Sequence, residues 1–120
     1  MPLNELPMRV NRATYREYCR NPDLTDAEFR QLLSKSVFGA ENSAATEDLL
    51  FVTDCCFKES QWFKPPPLLA GPEGQPAEKL AMLRERVERL RSVAERYEKS
   101  TTEAERDLHK IASWIVQRWN

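Results

Sequence analysis

The C-terminal third of the chain decides the expected fold, and from residue 77 to residue 119 it reads AEKLAMLRERVERLRSVAERYEKSTTEAERDLHKIASWIVQRW. Residues at alternating steps of three and four are apolar, with one threonine among them: Leu80, Leu83, Val87, Leu90, Ala94, Tyr97, Thr101, Ala104, Leu108, Ile111 and Ile115. This spacing is typical of a coiled-coil seam and predicts one long amphipathic helix over 77–119. At 1.5 Å per residue such a helix would be about 65 Å long, so we expect it to pair with another helix.

A break in this helix is the competing interpretation. Ser100 and Glu103 have the spacing of a capping box, which would start a new helix near residues 100–102. The seam nevertheless keeps its phase through this point, and neither glycine nor proline interrupts it. We therefore favour the unbroken helix.

Charged residues beside the seam predict how the helix pairs. With Leu80 at position a, the e and g positions are basic in the first half and acidic in the second: Arg84, Arg86 and Arg91, then Glu98, Glu105 and Asp107. Two parallel copies would bring arginines together, whereas antiparallel copies would bring arginines to carboxylates. Antiparallel self-pairing or a foreign helix of complementary charge is expected. Off the seam, Trp114 and Trp119 either mark an interface or fold back on the rest of the chain.

The preceding residues, 9–63, predict a module of three helices. A helical face over residues 9–20 ends at Asn21-Pro22, and Thr25 with Glu28 forms a capping box that starts a second helix. The apolar stripe of that helix comprises Phe29, Leu32, Leu33 and Val37, and Gly39 is its expected end.

A third helix is expected to begin with a cap at Ser43 or Thr46 and to run to about Gln61. Its narrow polar strip predicts a central position in the module. Residues 51–53 also have β-propensity, but no second candidate strand is available to pair with them.

Proline-containing segments flank this module. Residues 1–8 predict an extended arm, and residues 64–76 predict an extended Pro-rich linker that lies as a strap on a surface or is read by a signalling domain. Pro76 suits the first position of the next helix. A module of about 60 residues buries only about 60% of the surface of its unfolded chain and is marginally stable alone, so a partner is expected to complete its core.

Composition narrows the function classes. The 120 residues carry a net charge of −1, which argues against nucleic-acid binding, and no apolar run is long enough to cross a bilayer. We expect a soluble protein that is not secreted, because residues 1–10 lack the pattern of a secretion signal. Three cysteines, Cys19, Cys55 and Cys56, are expected to be buried thiols in a reducing compartment.

The sequence offers little for catalysis. His109 is expected to face solvent, and Glu47 and Asp48 are interpreted as charges that complement a helix N-terminus. No phosphate loop, metal-ligand cluster or nucleophile with a base at motif spacing is present in the sequence. We therefore expect no enzymatic activity, no cofactor and no bound metal.

Residues 14–20, TYREYCR, resemble the LYR family of small mitochondrial helical proteins, whose first helix opens with Leu-Tyr-Arg and has another Arg four residues on. Tyr15, Arg16 and Arg20 match that pattern, whereas Thr14 replaces the leucine. A short helical accessory subunit of respiratory complex I has Pro, Tyr-Arg and Trp-Lys-Pro in that order, and the chain is similar to it at Leu6-Pro7, Tyr15-Arg16 and residues 62–65, WFKP. Both resemblances imply a mitochondrial protein attached to a respiratory or iron–sulfur assembly, in the LYR case often beside acyl carrier protein.

The leading hypothesis is a non-catalytic accessory subunit of a larger assembly, favoured on the matrix side of a mitochondrial respiratory complex and otherwise cytoplasmic. Its partners would be other subunits, bound through helix–helix contacts. The second hypothesis is a free coiled-coil adaptor or dimerising regulator of cytoskeletal or ciliary machinery. The expected partner-binding residues are Tyr15, Arg16, Arg20, Trp62, Leu83, Leu90, Tyr97, Leu108, Ile111, Trp114 and Trp119.

Overall fold

The computed structural model describes residues 5–58 and 64–120, and the secondary-structure elements of these residues are helices. The six helices are α1 (Glu5–Arg20), α2 (Asp26–Phe38), α3 (Ser43–Phe57), α4 (Pro67–Ala70), α5 (Ala77–Arg96) and α6 (Glu103–Trp119). The all-helical class is confirmed. Residues 51–53, which also have β-propensity, are helical. Among the helices described, none has both the length and the apolarity needed to span a membrane.

The first helix starts earlier than the sequence predicts. It begins at Glu5, so the expected extended arm is wrong for residues 5–8. The reason is burial, since Leu6 and Pro7 continue the buried face that Val10 and Ala13 form further along α1. The rest of the predicted arm, residues 1–4, lies outside the described residues.

The ends of α2 agree with the prediction. The Thr25 hydroxyl accepts a hydrogen bond from the Glu28 backbone N–H at 3.1 Å, and the Glu28 carboxylate accepts one from the Thr25 N–H at 3.1 Å. Gly39 ends the helix with φ of 77°, a left-handed conformation that glycine adopts without a steric penalty. In the predicted apolar stripe Leu32 is an exception, because it is 42% exposed.

The third helix is central, as predicted. Leu49 and Val52 are fully buried, and α3 packs against α1, α2, α4 and α6. Its N-cap is neither Ser43 nor Thr46 but Asn42, whose side chain accepts a hydrogen bond from the Ala45 N–H at 3.0 Å. The predicted end near Gln61 lies outside the described residues.

The Pro-rich linker is not a fully extended strap. Residues 67–70 form the single turn of α4, and Leu68 is buried in the core. The end of α6 holds this turn in place, because the Trp119 indole N–H donates to the Leu68 carbonyl at 2.9 Å and Arg118 donates to the carbonyls of Leu69 and Ala70. Pro76 is the N-cap of α5 and precedes its first residue.

The predicted long helix over 77–119 is also wrong, because the chain turns between α5 and α6. Thr102, the N-cap of α6, has extended backbone angles of φ −80° and ψ 147°. The two helices then run antiparallel: the Ala94 carbonyl lies 2.7 Å from His109 Nδ1, and the Arg84 guanidinium lies over the Trp119 ring. Thr102, and not Ser100, is at the N-cap position of the new helix, and its side chain makes no capping hydrogen bond.

Packing explains why the seam folds back. Buried residues from all six helices form one hydrophobic core: Leu6 from α1, Phe29 from α2, Leu49 from α3, Leu68 from α4, Leu90 from α5 and Leu108 from α6. The α6 helix packs against α5 and also against α3. The apolar surface that the first three helices cannot bury alone is therefore covered by the chain's own C-terminal hairpin.

Candidate partner-binding surface

Five exposed residues follow one side of α1 at steps of three and four, and we call them the α1 outer face: Met8, Arg12, Tyr15, Arg16 and Cys19. Tyr15 is 76% exposed and Met8 is 41% exposed. The opposite side of the helix carries Leu6, Val10 and Ala13, which are buried. Since residues three and four apart share a helix side, burial of one side fixes the direction in which the outer face points.

Contacts with α2 hold α1 in place. The Arg9 guanidinium donates to the Ser36 carbonyl at 3.1 Å, and the rings of Tyr18 and Phe29 pack with their centroids 5.3 Å apart. The helix that carries the α1 outer face is therefore anchored before any partner arrives, which lowers the entropy lost on binding.

The surface beside Tyr15 is basic. Arg16 and Arg20 share one carboxylate, that of Glu17, with nitrogen–oxygen distances of 3.1 Å and 3.9 Å. Their side chains remain 50% and 71% exposed, and Arg12 adds a further exposed guanidinium. One shared carboxylate does not neutralise two arginines, so this surface favours an acidic partner.

The structure separates the predicted partner-binding residues into two groups. Tyr15, Arg16 and Arg20 lie together on exposed parts of α1. Six others are part of the core of the single chain and are at most 6% exposed there: Leu83, Leu90, Tyr97, Leu108, Ile111 and Trp119. Trp114 is half-buried beneath the Arg118 guanidinium, and Trp62 lies outside the described residues.

A buried carboxylate on α3 was not identified from the sequence. Asp48 is 6% exposed, and its Oδ2 atom accepts a hydrogen bond from the Tyr97 hydroxyl at 2.7 Å and from Arg96. Burial first, and this hydrogen bond second, raise the pKa of Tyr97 above its usual value. The burial of Asp48 could have been predicted from its spacing to Val52 and Cys55, which are buried and lie on the same side of α3. Asp48 joins α3 to the end of α5.

His109 does not face solvent freely, contrary to the prediction. It is half-buried, and its Nδ1–H donates to the Ala94 carbonyl across the α5–α6 hairpin. The distance is 2.7 Å. The position of this histidine supports a role in joining the two helices.

The three thiols differ in solvent exposure. Cys55 and Cys56 are buried as predicted, and burial raises their pKa to about 12 and about 11. Cys19 is exposed, so the prediction of three buried thiols is wrong for this residue. Within residues 5–58 and 64–120 no cluster of three or more His, Cys, Asp or Glu side chains has the arrangement of a metal site.

An open groove of about 460 Å³ lies between α2 and α3. Two of its hydroxyl groups bond to the chain: Ser34 Oγ donates to the Ala40 carbonyl and accepts from the Asn42 N–H, and Thr46 Oγ1 donates to the Asn42 carbonyl. At its rim Arg30 pairs with Asp26 and Glu47. These groups fix the turn between the two helices.

Comparisons with known proteins give no information on function, so the proposed function depends on the geometry of the chain. No protein-family model matches the sequence, and the searches of curated proteins and of solved structures gave no match.

Proposed function

We propose that the chain is a non-catalytic structural subunit that attaches to a larger protein assembly through the α1 outer face. The observation that carries this proposal is Tyr15, a ring that is 76% exposed on an anchored helix between Arg12 and Arg16. Tyrosine, methionine and arginine are enriched at protein interfaces, and tyrosine and arginine contribute most often to binding energy. All three residue types occur together on this face.

The chemistry of the surface defines the partner. A complementary surface would offer an apolar slot for the Tyr15 ring and carboxylates opposite Arg12, Arg16 and Arg20. Exposed charge pairs are screened by salt, with a Debye length of about 8 Å at physiological ionic strength. The association should therefore weaken as the salt concentration rises.

The resemblance of residues 14–20 to the LYR family supports one class of assembly, a mitochondrial respiratory complex, with attachment on the matrix side. The matching residues, Tyr15, Arg16 and Arg20, are available on the folded chain for such attachment. The alternative of a free coiled-coil adaptor depended on an unpaired seam. Because most of the seam residues are buried within the chain, this alternative loses its main support.

The test compares two double variants of the tagged chain expressed in its source cells. Tyr15→Ala with Arg16→Ala removes one ring and one cation from the α1 outer face, and should reduce the yield of co-purifying subunits roughly tenfold or more. The matched control is Met82→Ala with Lys110→Ala, which removes one exposed apolar side chain and one exposed cation from α5 and α6.

Both variants should keep the native helical content by circular dichroism, since all four side chains are exposed. Equal yields of the same subunits from the two variants would contradict the proposal. Fractionation of the same cells tests the compartment separately, and recovery of the chain outside mitochondria would refute the assignment to a respiratory complex.

A further inference from the structure

The turn between α5 and α6 contains no residue type that would prevent it from becoming helical. It comprises residues 97–102 and contains neither glycine nor proline. Its first part already follows a helix-like path, because the Glu98 N–H bonds to the Glu95 carbonyl and the Ser100 N–H bonds to the Tyr97 carbonyl. The glycines with positive φ lie elsewhere in the chain, and Thr102 leaves the helical region mainly through its ψ of 147°.

The apolar seam continues in phase through this turn. Leu90, Ala94 and Tyr97 on one side, and Ala104 and Leu108 on the other, follow the same alternation of three and four residues. A helix that ran straight through residues 97–102 would therefore carry the apolar face of α6 in line with that of α5. The sequence is compatible with both the turn and the straight helix.

The contacts between α5 and α6 could also form between two copies of the chain. Residue 94 faces residue 109 and residue 84 faces residue 119, and both pairs have their midpoint between residues 101 and 102. If two chains straightened at this point and crossed antiparallel, α5 of each would meet α6 of the other through the same contacts. The two-fold axis would then pass near Thr101 and Thr102.

We propose that a second copy of this chain is a partner of the α5–α6 interface, and that two copies exchange α6 to form a symmetric dimer. In the dimer α6 of one copy fills the place between α5 and α3 of the other, so no core contact is lost. The Tyr97 hydroxyl remains bonded to Asp48, which fixes the end of α5 and places the pivot at residues 98–102. This inference is independent of the α1 outer face.

Exchange between the two forms is expected to be slow. Leu108, Ala112 and Ile115 are fully buried, so α6 leaves the core only when the core opens. A dimer formed by warming a concentrated solution should therefore persist for a long time after cooling and dilution, unlike a dimer that rests on surface contact.

The test changes the helical preference of the pivot at exposed positions. Thr101→Ala with Thr102→Ala favours the straight helix, and because each dimer contains four such changes, we expect dimerisation roughly thirtyfold tighter than in the native chain. Thr101→Gly with Thr102→Gly is the matched control, and should weaken the dimer because glycine disfavours helix. Sedimentation of warmed and cooled full-length samples gives the dissociation constants.

An isotope-filtered NOE measurement identifies the kind of dimer. A dimer made from a mixture of labelled and unlabelled chains should show a contact between Ala94 of one copy and His109 of the other. The proposal is overturned if the native and alanine chains both stay monomeric after equilibration at high concentration. It is also overturned if alanine and glycine variants dimerise equally, or if the dimer lacks the contact between copies.

Discussion

The hydrogen bond between Tyr97 and Asp48 gives a quantitative prediction for stability. Tyr97→Phe removes the hydroxyl that donates to the Asp48 carboxylate at 2.7 Å, at a place where both residues are 6% exposed. A hydrogen bond to a charged, buried group contributes about 2 kcal/mol, and its loss leaves the carboxylate with Arg96 as its remaining described partner. For a chain of this size the melting temperature should fall by roughly 8 °C.

Tyr15→Phe is the matched control, because it removes the same hydroxyl from a ring that is 76% exposed. This variant should stay within about 0.5 kcal/mol of the native chain. Urea unfolding followed by circular dichroism measures the free energy of unfolding for all three proteins. If Tyr97→Phe is as stable as Tyr15→Phe, the buried hydrogen bond does not join α3 to α5 as described.

The same pair predicts a pH dependence. Tyrosine in an unfolded chain has a pKa of about 10, and burial together with the bond to Asp48 raises the pKa of Tyr97 in the folded chain. Because the pKa is higher in the folded chain, the contribution of Tyr97 to the free energy of unfolding is complete below about pH 10. This contribution is lost as the pH rises through the pKa of the folded chain. The stability difference between the native chain and Tyr97→Phe should therefore be constant from pH 7 to 9 and shrink above pH 10. A difference that grows above pH 10 would contradict this sign.

Two further predictions concern the core and the thiols. Leu33 is 1% exposed, and Leu33→Ala should lower the free energy of unfolding by about 2–5 kcal/mol. The control is Leu32→Ala, which changes a residue of the same helix that is 42% exposed and should have a much smaller effect. Equal effects of the two variants in urea unfolding would place Leu33 outside the core. Ellman's reagent at pH 8 should react with Cys19 alone in the native chain, because Cys55 and Cys56 are buried and burial raises the pKa of both thiols. After denaturation the reagent should react with all three cysteines. Rapid reaction of a second thiol in the native chain would show that Cys55 or Cys56 on α3 is accessible to solvent.

Local interactions could be predicted from the sequence because they involve neighbouring residues. The Thr25–Glu28 capping box and the left-handed Gly39 each depend on a few consecutive residues, and both are present in the structure. The burial of Leu33 also followed from helical periodicity. The all-helical class and the limits of α2 were therefore accessible without coordinates.

Features that depend on long-range packing could not be predicted in this way. The seam residues have the same spacing in a straight helix and in a hairpin, and the contact of α6 with α3 decides between them. Asp48 looked like a charge at a helix start, because its partner Tyr97 lies 49 residues further along the chain. Of the candidate site, Tyr15 and Arg16 were predicted, whereas Met8 could be recognised only after α1 was found to begin at Glu5.

Site-specific photo-cross-linking in intact source cells tests the proposed attachment through the α1 outer face most directly. Benzoylphenylalanine replaces Tyr15 in one chain, and Met82 or Lys110 in two control chains, all at exposed positions. The account predicts that irradiation links the chain to one defined partner protein from position 15, and that the same adduct is absent from positions 82 and 110. If position 82 or position 110 is linked to a partner protein and position 15 is not, the account is contradicted.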